Sequence, residues 1–195
     1  MASSALDRAL RGEAGLRPLP EEVDGLLRRL DAPPRLGAHL RAVHDVACRL
    51  LDALYERFPG VDVDQEAVRY GAATHDVGKT YVTAELSGPG SEHERRGHRL
   101  LLDHGVEERL ARFARTHGSW DGPDVTFEDL LVSLADKVWK GKRVPHLEQR
   151  VVDHLATAVG QEPWEVFMTL DDLLTELAAD ADRRLAFQSA HPITS

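Results

Sequence analysis

Apolar residues along this chain recur at intervals of three and four rather than two. Val43, Val46, Ala47, Leu50, Leu51 and Leu54 trace one face, and their spacing predicts a long helix over residues 36–58. PGVDVD (59–64) reads as a turn, with Asp64 as N-cap of a helix running through Ala67, Tyr70, Gly71 and Thr74. Gly78 is placed to end that helix. ELSGPGS (85–91) is the clearest loop; Ser91 is expected to cap the next helix, with Glu94 completing a capping box. That helix carries Leu100, Leu101 and Leu102 and should end near Gly105. Further helices are expected over 106–116, 126–140, 146–159 and 163–187. A proline opens the last one (PWEVF), at a position where a missing N–H costs nothing. Its Phe167, Leu170, Leu174, Leu177, Ala178, Ala181 and Leu185 should face a core.

Residues 1–19 are weakly apolar and read as a short helix plus linker. No stretch alternates with period two, and no repeat or low-complexity tract appears. The expected architecture is all-α: an N-terminal segment (1–19), one compact helical bundle (20–187) and a short tail (188–195).

Composition narrows the class. With 195 residues, 42% hydrophobic and 29% charged, the chain has the balance of a soluble domain and room for a real core. A net charge of −9 argues against general nucleic-acid binding, which needs a cationic surface. Apolar runs are too short to cross a bilayer, and MASSALDRALRGEAG lacks the unbroken apolar stretch of a signal peptide. Cys48 is the only cysteine, so no internal disulfide can form; it is expected to be a small core residue in a cytoplasmic protein. A homo-oligomer is left open.

The candidate chemistry begins in AATHDVGKT (72–80), where His75 and Asp76 adjoin. Such a pair proves little, since His44–Asp45 is a second one. Its surroundings say more. A neutral imidazole and a carboxylate at an unwinding helix end can converge on one cation if other segments supply further ligands. His39 lies on the apolar face of the long helix, His93 opens the helix after the glycine-rich loop, and His117 follows a helix. Asp136 interrupts the apolar run LVSLADKVW, where an unpaired carboxylate would be costly to bury. His98, His104, His146, His154 and His191 are expected at the surface, His104 at a helix end. Trp120 and Asp121 are candidates to line a pocket near His117.

As an ordered set, His39, His75–Asp76 and Asp136, with HDVGK and LADK as local signatures, resemble the HD superfamily of metal-dependent phosphohydrolases. The resemblance spans about residues 36–140. It implies an all-helical enzyme in which His39, His75, Asp76 and Asp136 hold one divalent ion. His93 and His117 match, by order and local pattern, the two histidines that complete a second position in many members, with Asp76 as bridge. His44 competes with His39 for the first place, and the apolar spacing favours His39. Mixed nitrogen and oxygen ligation suits Mn, Fe, Co, Ni or Zn better than Ca.

The implied reaction is hydrolysis, by metal-activated water, of a phosphomonoester or phosphodiester in a small, nucleotide-like substrate. Asp76 and Lys79 would be catalytic, Lys79 by stabilising charge on phosphoryl oxygens. Arg96 in ERR (94–96), and Lys137 and Lys140 in DKVWKGKR (136–143), either recognise phosphate or form solvated faces. The double histidine and Gly-Tyr-Pro segment of the cyclic-di-GMP-degrading subgroup are missing around His117, which disfavours that substrate. Two other readings stand beside hydrolysis: a di-iron oxygenase on the same fold, and a nucleotide-binding regulatory module without catalysis. Lys79 leans toward the hydrolase.

Overall fold

Helix α3 (Pro34–Arg57) opens on a proline, which is pre-set for the first turn, and the chain leaves it at Phe58, just before Pro59. The computed structural model describes residues 4–12 and 14–194. In it α3 is buried over most of the stretch from Leu36 to Leu54 and packs against five other helices. These are α1 (Ser4–Arg11), α4 (Gln65–Thr74), α8 (Phe127–Val138), α10 (Pro163–Ala178) and α11 (Ala181–Ser189). The remaining helices are α2 (Glu21–Arg29), α5 (Glu92–Asp103), the single turns α6 (Glu108–Ala111) and α7 (Phe113–Thr116), and α9 (Pro145–Val159). Two 3-10 turns, Val77–Thr80 and Thr83–Leu86, link α4 to α5. The described residues contain no strand, so the fold is all-α as expected.

Two apolar clusters flank α3. One joins it to α8, α9 and α10 through Val43, Leu50, Leu134, Leu155 and Leu174. The other joins its N-terminal turns to α1, α2 and the α4–α5 region through Leu6, Leu27, Leu36, Leu40, Val77 and Leu101. Burial along nearly its whole length is what fixes so long a helix, because each fully buried leucine contributes about 1.5–3 kcal/mol.

Two buried arginines tie chain ends to this frame. Arg41 donates to the carbonyls of Ala9, Gly12, Leu16 and Arg17, holding the chain after α1 against α3. Arg184 donates to Trp139 O at 2.7 Å, Val138 O at 3.4 Å and Leu177 O at 2.6 Å. Its cation thus lies where the C-terminal ends of α8 and α10 meet, with the sign that complements both helix dipoles. Arg35 similarly engages the backbone at Ser189, His191 and Pro192.

Several local expectations are corrected. Gly78 does not end α4, which stops at Thr74 with His75 as C-cap. Instead the 3-10 turn lies so close to α5 that a side chain on Gly78 would collide with the carbonyl of His93. Ser91 makes no side-chain cap, and its box with Glu94 does not form. Glu85 accepts from the N–H groups of Glu92 (3.1 Å) and His93 (3.2 Å) and caps α5 from outside. The segment 106–116 breaks at Arg112 into two turns, and 163–187 breaks between Ala178 and Ala181. Phe167 and Leu185 face outward (44% and 37% exposed), Leu185 beyond that break and Phe167 at the edge of the α10 stripe formed by Val166, Leu170, Leu173, Leu174 and Leu177. α2 escaped the sequence reading because its charged residues and Gly25 mask Val23, Leu26 and Leu27, which are buried. His191, expected at the surface, is buried against Phe187.

Cys48 is buried, with its Sγ 3.4 Å from His44 Nε2. Burial, helped by the positive charges of Arg69 and Arg17, pushes the His44 imidazole down to about 4. The unfolded chain takes up this proton near 6.5 and the folded chain does not. Stability is therefore full above pH 6.5 and falls as pH drops toward 4, by up to about 3 kcal/mol from this group. Urea unfolding of wild type and His44→Leu at pH 7.5 and 4.5 checks this. The acid-induced loss should be smaller in the variant by about 2–3 kcal/mol; equal losses would refute it.

Candidate metal centre

Five separate segments deliver one cluster. α3 presents His39 from its first turns, and the end of α4 presents His75. Asp76 sits at the start of the 3-10 turn, His93 in the first turn of α5, His117 at the end of α7, and Asp136 in the last turn of α8. All six side chains are buried. His44, five residues after His39, points to another part of the molecule, where Cys48 meets it.

Close packing makes the convergence possible. A side chain on Gly71 would overlap the ring of Phe113, so its absence lets α7 approach α4. Gly78 and Gly97 do the same for the 3-10 turn and α5, and so bring His93 to Asp76. Asp129 sets the register between α7 and α8. Its fully buried carboxylate accepts from Thr126 N (2.9 Å), Thr116 Oγ1 (2.7 Å) and Arg112 (2.7 Å). It thereby caps α8 and clamps the segment leading to His117.

Asp76 is the centre of the geometry. Its Oδ2 lies 3.0 Å from His39 Nε2 and 3.6 Å from His75 Nε2. Its Oδ1 lies 3.0 Å from His93 Nε2 and 3.5 Å from His117 Nε2. Asp136 Oδ1 lies 3.4 Å from His75 Nε2 and 3.9 Å from His39 Nε2, and the two imidazole Nε2 atoms are themselves 3.3 Å apart. Two donors bound to one ion at about 2.1 Å stand roughly 3.0–3.4 Å apart at octahedral or tetrahedral angles. The separations around both oxygens of Asp76 fall near this spacing.

The tautomers agree. His75 Nδ1 is bonded to Ala72 O at 2.9 Å, His117 Nδ1 to Phe113 O at 3.1 Å, and His93 Nδ1 to Glu85. With those nitrogens donating, each Nε2 carries a lone pair directed into the cluster, the arrangement that metal-ligating histidines use. His93 Nε2 and Asp76 Oδ1 are also buried without a properly aligned hydrogen bond, although they are near neighbours. Ligand-donor atoms left unmatched at such depth fit a cation between them.

Electrostatics favour anionic carboxylates. Burial pushes Asp76 upward, but the neighbouring imidazole of His75 and the polar contacts of His117, His39 and His93 outweigh it and hold the carboxyl well below its usual range. Asp136 follows the same balance, with His75 the chief opponent of burial, and its pKa too is lowered. Its expected position inside an apolar helix is thus explained: it is buried and bonded. Lys79 Nζ meets Asp76 Oδ2, and Lys137 Nζ meets Asp136 Oδ2, each at 2.6 Å.

A cavity of about 160 Å³ opens beside His39 and Asp76, lined by Lys79, Leu86, Trp139, Lys140 and Gln188. Larger grooves of about 620 and 360 Å³ near Tyr70 include none of the six cluster residues. Of the basic residues expected around a substrate, Lys79 and Lys140 line this cavity, Lys137 is directed at Asp136, and Arg96 pairs with Glu92 on the exposed side of α5. Trp120 packs edge-on to His146 and does not line it. The sequence reading missed Glu85, Trp139 and Gln188. Glu85 lies in the short 3-10 turn before α5 and Gln188 far along the chain, and no spacing rule ties either to the histidines.

No helix among the described residues is long and apolar enough to cross a membrane. No curated protein and no solved structure matches the chain. The family model of the HD domain matches residues 36–140, which is the stretch from the start of α3 to just past Asp136. With the histidine–aspartate cluster formed by that stretch, the chain belongs to the HD-domain family.

Proposed function

We propose that the protein is a metal-dependent phosphohydrolase that cleaves a phosphomonoester or phosphodiester of a small, nucleotide-like substrate. The observation that carries this is the pairing of a ligand cluster centred on Asp76 with a small cavity that has two lysines at its wall. His39, His75, Asp76 and Asp136 would hold one divalent ion, and His93 and His117, with Asp76 shared, a second. Bound there, such ions supply a water acidic enough to act as nucleophile near neutral pH and draw charge from the phosphorus centre.

The chain's own groups do the rest. Lys79 gives a phosphoryl oxygen a cation already held in place by Asp76. Lys140 offers a second charge from across the cavity. Trp139 lines the same cavity and stands edge-on to His39, giving the phosphoryl group an apolar wall. About 160 Å³ suits a phosphoryl group and little more, since pockets that enclose a whole drug-sized ligand run to roughly 300–1,000 Å³. The remainder of the substrate would extend outward past Gln188 and Lys140. An oxygen-activating centre has no need of these lysines, which favours hydrolysis.

Turnover of a panel of nucleoside mono- and diphosphates and p-nitrophenyl phosphate, with Mn, Fe, Co, Ni or Zn supplied, tests the reading by phosphate or nucleoside release. Lys79→Ala should lower kcat/KM by about 10²–10³-fold while leaving metal content unchanged. Release that depends on oxygen, or equal rates in the variant, would contradict it.

A further inference from the structure

Glu94 stands beside this centre, a placement that neither its sequence position nor its expected capping role suggested. Freed from the box with Ser91, its side chain turns toward the segment after His117. A Cβ on Gly118 would stand 2.5 Å from Glu94 Oε1, so the carboxylate occupies the space that glycine leaves. The side chain is half-buried and has no hydrogen bond or ion pair among the described residues. His93, Glu94 and His117 each bring a ligand-type atom within 4.8 Å of the other two. Ligands on one ion lie about 3.0–4.2 Å apart, so a small rotation of a flexible side chain closes the gap.

We infer that Glu94 is a carboxylate ligand of the second cation position, with His93, His117 and Asp76. This rests on the metal-centre reading above and extends it. Two buried, unmatched donors, His93 Nε2 and Asp76 Oδ1, face that position already. With Glu94 the two positions become alike in donor set. His39, His75, Asp76 and Asp136 offer two nitrogens and two carboxylates, and His93, His117, Asp76 and Glu94 offer the same. Three carboxylates then face two dications, and the second position gains an anionic ligand of its own beside the shared Asp76. The two ions should bind with similar affinity.

Manganese titration of metal-free protein, followed by the EPR signal of free Mn²⁺, tests this without any substrate. Wild type should take up two ions. Glu94→Gln should keep one at unchanged affinity and lose at least about tenfold in the affinity of the other. Gly118→Ala, which displaces the Glu94 carboxylate, should weaken the same ion. Because the Glu94 side chain has no hydrogen bond or ion pair among the described residues, Glu94→Gln should leave the melting temperature of the metal-free protein unchanged, which separates ligation from folding. Two ions of unaltered affinity in both variants would overturn the role of Glu94 and leave the centre intact. A single ion in wild type, unaffected by Glu94→Gln, would overturn it as well. No ion in wild type would overturn the metal-centre reading itself.

Discussion

Asp76→Ala is expected to abolish turnover and to remove bound metal altogether. Each of its oxygens faces a different pair of imidazoles, so a single truncation takes a ligand from both positions. Partners outside a coordination shell already cost about 10–100-fold in affinity or activity; for a shared ligand the expected loss of turnover is on the order of 10³-fold or more. Asp76→Asn is the sharper variant. It preserves the shape but replaces an anion by an amide and leaves Lys79 and the imidazoles without their counter-charge. Both variants are expected to retain the helical circular-dichroism spectrum and to bind less than about one-tenth of the wild-type metal. Wild-type metal content in Asp76→Asn would mean that Asp76 does not bridge.

The largest expected effect on stability lies at Asp129, away from the centre. Its carboxylate is fully buried and serves at once as partner of Arg112, acceptor for Thr116 and return half of the α8 capping box. Asp129→Ala removes the return half of the box and leaves the donors of Thr116, Thr126 and Arg112 unmatched. Because Arg112 reaches solvent, being about one-fifth exposed, the cost falls below that of a wholly enclosed broken pair. A loss of about 3 kcal/mol is expected, which for a chain of this size lowers Tm by roughly 6–12 °C. Asp129→Asn keeps some acceptor capacity and should lose less. A change under about 0.5 kcal/mol in Asp129→Ala, the range of ordinary surface substitutions, would show that the clamp contributes nothing.

Much of this fold was legible because burial follows helical periodicity. α3 shows the apolar face, and α8 and α9 emerge within two residues of their expected limits. What failed was punctuation. Ser91 and Glu94 have the right residues for a cap at the right spacing, yet the first turn is capped instead by Glu85, from the preceding 3-10 turn, through the N–H groups of Glu92 and His93. Gly78 looks like a stop signal but is required by the approach of α5, a tertiary demand that no local pattern carries. Leu185 fits the expected stripe only if residues 163–187 form one straight helix, which the break before Ala181 prevents, and Phe167, ahead of the break, lies at the edge of the face that α10 buries.

The six clustered residues were readable as an ordered set, and the fold brings all six together. The groups around them were not. Glu85 holds His93, Trp139 stands edge-on to His39 with ring centres 4.9 Å apart, and Gln188 arrives from α11, beyond the residues that the HD domain covers. Their contribution depends on which helices meet, and that is decided by packing between distant segments. Arg96 shows the converse: a basic residue in a suggestive run that is held by its i−4 neighbour, Glu92, and has no part in the cavity.

The central claim is that this buried cluster holds divalent cations on either side of Asp76. Anomalous diffraction at the manganese edge, from crystals of the full chain grown with Mn²⁺, tests it most directly. Two peaks are predicted, one among His39, His75, Asp76 and Asp136 and one among Asp76, His93 and His117, each about 2.1 Å from its ligands. A well-ordered cluster with no anomalous peak at saturating Mn²⁺, Fe²⁺ or Zn²⁺, each examined at its own edge, would contradict the account.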